Sequence, residues 1–212
     1  MPINQYTVFI VEDDPAVRDA LGLLLGVHGH AVALFADAES FLKAWRPDWH
    51  GCLLIDIRMP GMDGLTLQKR LIEKGSTIPV IIMTGHGDVG SAREAFRANA
   101  VDFLEKPVDQ EKLIRAIEEA YSRQSAEEAK GQARTEFDGL LKNLTPRERE
   151  VMDLVVTGKH NREIANTLGI SARTVEVHKA RMMTKLGVHG VPDLVRLSLT
   201  GRAVEAPTTN ET

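Results

Sequence analysis

Five short apolar runs, separated by helix-like patterns, constrain the fold of this 212-residue chain more than any other feature. The runs are "YTVFIV" (6–11), "AVALF" (31–35), "CLLID" (52–56), "PVIIM" (79–83) and "AVDFLE" (100–105). Short, nearly continuous apolar runs of this kind suit strands buried on both faces. Between them, helical patterns fall near 15–28, 38–46, 64–74, 88–98 and 109–123. Such alternation with short turns predicts a parallel sheet covered by helices on both sides. Five units of this length suit a flavodoxin-like (βα)5 α/β fold with strand order 2-1-3-4-5.

The alternation stops after residue 123. The stretch 124–139 is polar and alanine-rich, and reads as a linker or a frayed extension of the preceding helix. Beyond it no strand pattern returns. Helical segments near 146–157, 161–168, 172–186 and 190–199 predict an all-α, four-helix domain over 140–205, followed by a disordered tail at 206–212. Charge divides the same way. Residues 1–123 hold 13 Lys+Arg against 18 Asp+Glu, a balance of −5, and residues 159–202 hold 8 against 3, a balance of +5. A basic rear module is a candidate for nucleic acid. The single cysteine, Cys52, excludes an internal disulfide and reads as a small core residue. No apolar run approaches membrane-spanning length and the N-terminus lacks a signal-peptide pattern, so a cytoplasmic chain without membrane contact is expected.

Three acids, Glu12, Asp13 and Asp14, follow the first strand, and Asp56 ends the third. In a 2-1-3-4-5 sheet these strands are neighbours at the switch point, where a crevice opens at their carboxyl ends. Glu12, Asp13 and Asp56 should therefore converge. Such a cluster raises a pKa or binds a cation, and oxygen ligands alone favour a hard ion such as Mg²⁺. Asp14 before Pro15 reads instead as a helix N-cap. Thr84 ends the fourth strand and Lys106 follows the fifth, before Pro107, a candidate cis bond that would aim the lysine inward. A hydroxyl and an ammonium opposite a metal-bound carboxylate make a phosphoryl-sized site, with Asp56 as nucleophile forming an acyl phosphate.

One motif points elsewhere. Gly85 to Gly90, "GHGDVG", reads G-x-G-x-x-G, the dinucleotide fingerprint. That fingerprint belongs after a first strand, with an acid ending the second. Here it follows the fourth, and the first strand ends in acids that would repel a pyrophosphate. The loop reads better as a hinge that rearranges when phosphate arrives. A nucleotide-using enzyme and a scaffold that no longer takes phosphate are the rival readings.

Residues 5–123 resemble the receiver domain of bacterial two-component response regulators. The resemblance rests on "VEDD" (11–14), "LLIDIRMPGMDG" (53–64), "TGHGD" (84–88) and "DFLEKP" (102–107). It implies that Asp56 is the phosphoacceptor and that Glu12, Asp13, Asp56 and the backbone carbonyl of Arg58 form the metal shell. It further implies that Thr84 and Phe103 are the switch pair, and that Lys106 contacts the phosphoryl group. The resemblance also implies that Arg58 and His86 tune the lifetime of the acyl phosphate.

In the basic module, Thr145, Pro146 and Glu148 form a capping box, Asn161 is read as the cap of a short helix, and Ser171 caps a longer one. Two helices joined by the Gly-containing turn "LGIS" make a helix-turn-helix, about 161–180, whose second member is the recognition helix. Val175, Met182 and Leu186 form its core stripe. Val177 or Ala180 can touch a thymine methyl and Glu176 can accept from cytosine. Arg173 and Thr174 complete the DNA-facing set. Lys159, Lys179, Arg181 and Lys185 are expected at phosphates. "LTPREREV", "NREIA", "LGIS" and "TVEVHKARMMTKLGV" resemble the LuxR-type DNA-binding domain found in response regulators of the FixJ and NarL type. The two resemblances imply a transcription regulator, not an enzyme. Its partners would be a sensor histidine kinase, promoter DNA, RNA polymerase and, on phosphorylation, a second copy bound through the surface at 88–105.

Overall fold

The structure, a computed structural model, describes residues 6–85 and 98–202. The chain divides into two compact units, 1–126 and 127–212.

In the first unit, β1 (Thr7–Val11), β2 (Ala31–Phe35), β3 (Gly51–Asp56), β4 (Val80–Thr84) and β5 (Asp102–Glu105) form one parallel sheet in the order β2-β1-β3-β4-β5. This is the predicted order. β3 and β4 lie inside the sheet and are buried along their whole length, which is why their sequences carry no polar alternation. Successive side chains enter opposite faces. Phe9, Val11, Leu53, Ile55 and Ile82 pack under α2 (Ala38–Ala44) and α3 (Gly64–Glu73), where Phe41, Leu67 and Leu71 are buried. Val8, Ile10, Cys52, Leu54 and Ile81 pack under α1 (Pro15–Val27) and α4 (Gln110–Lys142), against Leu21, Leu25, Leu113 and Ile117. Cys52 is fully buried, and that burial pushes its thiol pKa up, as expected for a core residue.

Helix starts are set by side-chain caps. Asp14 accepts from the Ala16 amide (2.8 Å) with Pro15 behind it, and Asp63 accepts from the Thr66 amide (2.7 Å). At Gly64 the helix start passes so close to the sheet that a Cβ would lie 2.4 Å from the Asp56 carbonyl oxygen and 2.8 Å from Ile55 Cγ2. Only glycine permits that approach. The expected helix near 88–98 falls almost wholly outside the described residues.

One element was left open by the sequence, as a linker or an extension of the preceding helix. The stretch 124–139 is helix throughout, because α4 runs unbroken for 33 residues from Gln110 to Lys142. Ala, Glu, Gln, Lys and Arg are strong helix formers, and Arg123–Glu119 and Lys130–Glu127 pairs, each at 2.6 Å, line its surface. A scarcity of large apolar residues signals low burial, not low helicity. Gln124 is itself buried, and its Oε1 accepts from the Gly51 amide at 2.6 Å.

The second unit contains the end of α4 with α5 (Pro146–Val156), α6 (Asn161–Leu168), α7 (Ala172–Leu186) and α8 (Val191–Arg202). Phe137, Val151, Met152, Ile164, Val175, Met182 and Leu194 fill its core. The capping box at Thr145 and Glu148 is present, and Ser171 Oγ accepts from the Thr174 amide at 3.1 Å. Asn161 is not the cap of α6 but its first residue. His160 holds the cap position, and Glu163 Oε2 accepts from the His160 amide at 2.8 Å. Gly169 ends α6 in the left-handed conformation, φ 66°, which turns the chain directly into α7. No helix among the described residues is long and apolar enough to cross a membrane.

Candidate functional site

Strand register delivers the acids to one edge. Val11 lies opposite Ile55, so Glu12 and Asp56 are the next residues of adjacent strands. Carboxylate oxygens of Glu12, Asp13 and Asp56 all lie within 4.8 Å of one another. Glu12 is 1% exposed and Asp56 4%. Two carboxylates cannot be buried side by side without a counter-charge. Lys106 supplies it: Nζ lies 2.7 Å from Glu12 Oε2 and 2.9 Å from Asp56 Oδ1. The lysine follows β5, whose Glu105 lies opposite Thr84, and its backbone amide donates to the Thr84 carbonyl at 2.7 Å. The Lys106–Pro107 bond is cis.

The electrostatics follow from this packing. Burial raises the Glu12 pKa, against the lowering effect of Lys106. Burial by itself would lower the Lys106 pKa, but its hydrogen bonds to Glu12 and Asp56 outweigh burial and raise it. Thr84 is buried at the end of β4, and Phe103 is half-buried and packed against the core under α2 and α3. Arg58 is exposed beyond Asp56. His86 and most of the 88–105 surface lie outside the described residues. Val101, within that surface, is 7% exposed and belongs to the core under α1 and α4. Sequence reading missed Arg18, whose Nη1 donates to the carbonyls of Glu12 (2.7 Å) and Asp13 (3.3 Å) and holds the acidic loop in shape. Its place at the start of α1, just past the acids, is a readable signal. Three hard oxygen donors around a counter-charged pocket suit a divalent cation, and the strand-end carboxylate beside an ammonium suits transfer of a phosphoryl group.

The second unit carries a different surface. On α7, Val175, Met182 and Leu186 are buried as the core stripe. Arg173, Glu176, Val177, Ala180, Arg181 and Thr184 are exposed along another face. Val177 is 43% exposed, an apolar side chain held outward among charges. Thr174 is half-buried and its hydroxyl shares a 2.8 Å hydrogen bond with Ser171 Oγ. Lys159, Arg162 and Lys179 line one cleft with Asn161 and Val191. Lys185, partly exposed near the end of α7, is paired within the unit. Its Nζ is held at 2.7 Å by Oε2 of the buried Glu148.

The chain matches the response regulator receiver domain over residues 8–118 and the luxR family of bacterial regulatory proteins over residues 142–198. It is 44% identical over 193 residues to the transcriptional regulatory protein FixJ of Bradyrhizobium diazoefficiens, covering 91% of this chain and 94% of that one. It is 38% identical to the response regulator protein TodT of Pseudomonas putida, covering 90% and 84%. Among solved structures, the response regulator StyR superposes with a TM-score of 0.77 at 39% identity, over 92% of this chain and 98% of that one. Full-length FixJ from B. japonicum gives 0.58 at 40% identity, over 95% and 100%.

Proposed function

Because the chain belongs to the response regulators that join a receiver domain to a LuxR-type DNA-binding domain, and is thus a two-component transcription regulator, we propose that Asp56 is its phosphoacceptor. A receiver domain implies a sensor kinase as partner and a luxR-family region implies DNA. The observation that carries the assignment is the convergence of Glu12, Asp13 and Asp56, with Lys106 Nζ 2.9 Å from Asp56. A sensor histidine kinase donates the phosphoryl group. A carboxylate oxygen of Asp56 bonds to phosphorus as the donor's bond to phosphorus breaks, and an acyl phosphate results. Lys106 then neutralises the phosphoryl oxygens and Thr84 donates to one of them. Glu12, Asp13, Asp56 and the Arg58 carbonyl would hold Mg²⁺, which supplies further charge neutralisation. Phe103 turns as Thr84 moves, and the surface at 88–105 then favours a homodimer that sets two readers over two half-sites.

In the second unit α7 is the recognition helix. Val177, Ala180 and Glu176 meet base edges, Arg173 and Thr174 flank them, and Lys159, Lys179 and Arg181 meet phosphates, with RNA polymerase as the downstream partner. Incubation with Mg²⁺ and acetyl phosphate should add a single phosphoryl group, seen by intact-mass spectrometry, and Asp56→Asn should add none. Equal labelling of both proteins would sink the assignment.

A further inference from the structure

Glu148 is 2% exposed and lies on α5, while its partner Lys185 lies on the last turn of α7, 37 residues away. Glu148 Oε2 accepts from Lys185 Nζ at 2.7 Å and from the Thr145 amide at 2.8 Å. One buried carboxylate therefore joins the first turn of α5 to the end of α7. The rest of the hold on α7 is apolar packing, from the buried stripe Val175, Met182 and Leu186 with Ala172 and Met183 against the same core, and such packing carries no directional bond of its own. A charge-assisted hydrogen bond is directional, and a helix tied by one has a preferred rotation and height.

We propose that Glu148 and Lys185 are a positioning pair for DNA reading. They fix the rotation of α7, so that Val177 and Glu176 meet base edges in register, and Lys185 makes no phosphate contact. The inference rests on α7 being the recognition helix. A residue that contacts phosphate and a residue that positions a helix differ in what salt reveals. Losing a phosphate contact lowers the slope of log affinity against log salt by about 0.9. Losing a positioning contact leaves that slope alone and erodes the preference for the right sequence.

The test uses the full chain and fluorescence anisotropy across salt concentrations. One probe is a duplex selected from a random library by the wild-type protein, and the other is a scrambled duplex. Lys185→Met keeps most of the alkyl stem and removes the charge. Glu148→Gln keeps an acceptor for the Thr145 amide and weakens the pair, which provides a second variant if the first fails to fold. Both should lose about tenfold in preference for the selected duplex, the size of one lost base contact, with an unchanged salt slope. Lys185→Arg should restore the preference. Lys179→Ala, a control on the proposed phosphate set, should lower the slope and leave the preference intact. A slope reduced by about 0.9 in Lys185→Met would overturn the proposal and return Lys185 to the DNA. So would unchanged preference in both variants. If instead Val177→Ala and Glu176→Ala also leave base preference unchanged, it is the assignment of α7 as reader that fails.

Discussion

The two units each bury a glutamate against a lysine, and the two pairs behave in opposite ways. In the receiver unit Glu12 faces Lys106 at 2.7 Å, yet its pKa is raised, because burial dominates and Asp56 stands beside it. In the helical unit Glu148 faces Lys185 at the same 2.7 Å, and its pKa falls to about 2, because Lys185 and the Thr145 amide both donate to it. Residue type and pair distance are shared. The surroundings differ: one lysine is divided between two carboxylates in a crowded acid cluster, and the other serves a lone carboxylate that also caps a helix. An ion pair that is fully satisfied is scaffold. One left short of positive charge has the electrostatics that the proposed cation and phosphoryl site requires.

Charge removal breaks this contrast most sharply. Lys185→Met leaves Glu148 buried without its partner and should destabilise the helical unit by about 3 kcal/mol, the low end for a buried pair because the lysine is partly exposed. Mg²⁺ should not restore it. Lys106→Met should also destabilise its unit in EDTA, but there Mg²⁺ should recover about 2.7 kcal/mol once it reaches about a hundred times its dissociation constant. Denaturant melts with and without Mg²⁺ check both. Recovery in both variants, or in neither, would erase the distinction.

Acid titration separates the pairs by sign. The Glu148 carboxyl is held below its unfolded value of 4.5, so on acidification the unfolded chain takes up the proton first. Its contribution is complete above about pH 4.5 and fades as pH falls towards 2. The Glu12 pKa is raised above 4.5, so the folded protein takes up that proton first. In metal-free protein its contribution is present below pH 4.5 and is lost as pH rises through the raised value. Hydrogen exchange, corrected for intrinsic rates, should show strands β1 and β3 of the metal-free protein gaining protection as pH falls towards 4.5, and α5 and α7 losing it only below 4.5. Parallel trends would refute the assigned causes.

Smaller effects sharpen the DNA side. Val177→Ala should shift preference at one base pair by about 1 kcal/mol, and Arg181→Ala should weaken binding to all sequences about equally. Selection from a random duplex library distinguishes the two. Smallest is the cap: Thr145→Ala should cost the helical unit about 0.5 kcal/mol, with phosphorylation by acetyl phosphate untouched. A change in phosphorylation rate would mean that the units are not energetically separate.

Much of this was legible in the chain. Apolar runs and turn residues are local signals, so the strands, the starts of most described helices and the caps at Asp14, Thr145 and Ser171 could be read directly. The acid cluster was legible for a less local reason. A 2-1-3-4-5 order makes the ends of β1 and β3 neighbours, and topology alone then brings Glu12, Asp13 and Asp56 together. The choice between linker and helix extension at 124–139 was not legible because low apolar content reports burial, not helicity, and a small apolar residue such as Val101 carries no mark of its burial.

The sequence by itself determined two modules, their fold classes, the strand-end carboxylates and the basic helix, because period, spacing and residue chemistry are properties of neighbours along the chain. Tertiary structure alone decided which charge meets which. Lys106 reaches across 94 residues to Glu12, Gln124 across 73 to Gly51, and Lys185 across 37 to Glu148. The sequence does not mark the buried carboxylate that lies 2.7 Å from Lys185, since the sign and strength of an electrostatic partner depend on distance and burial, which only the folded chain sets.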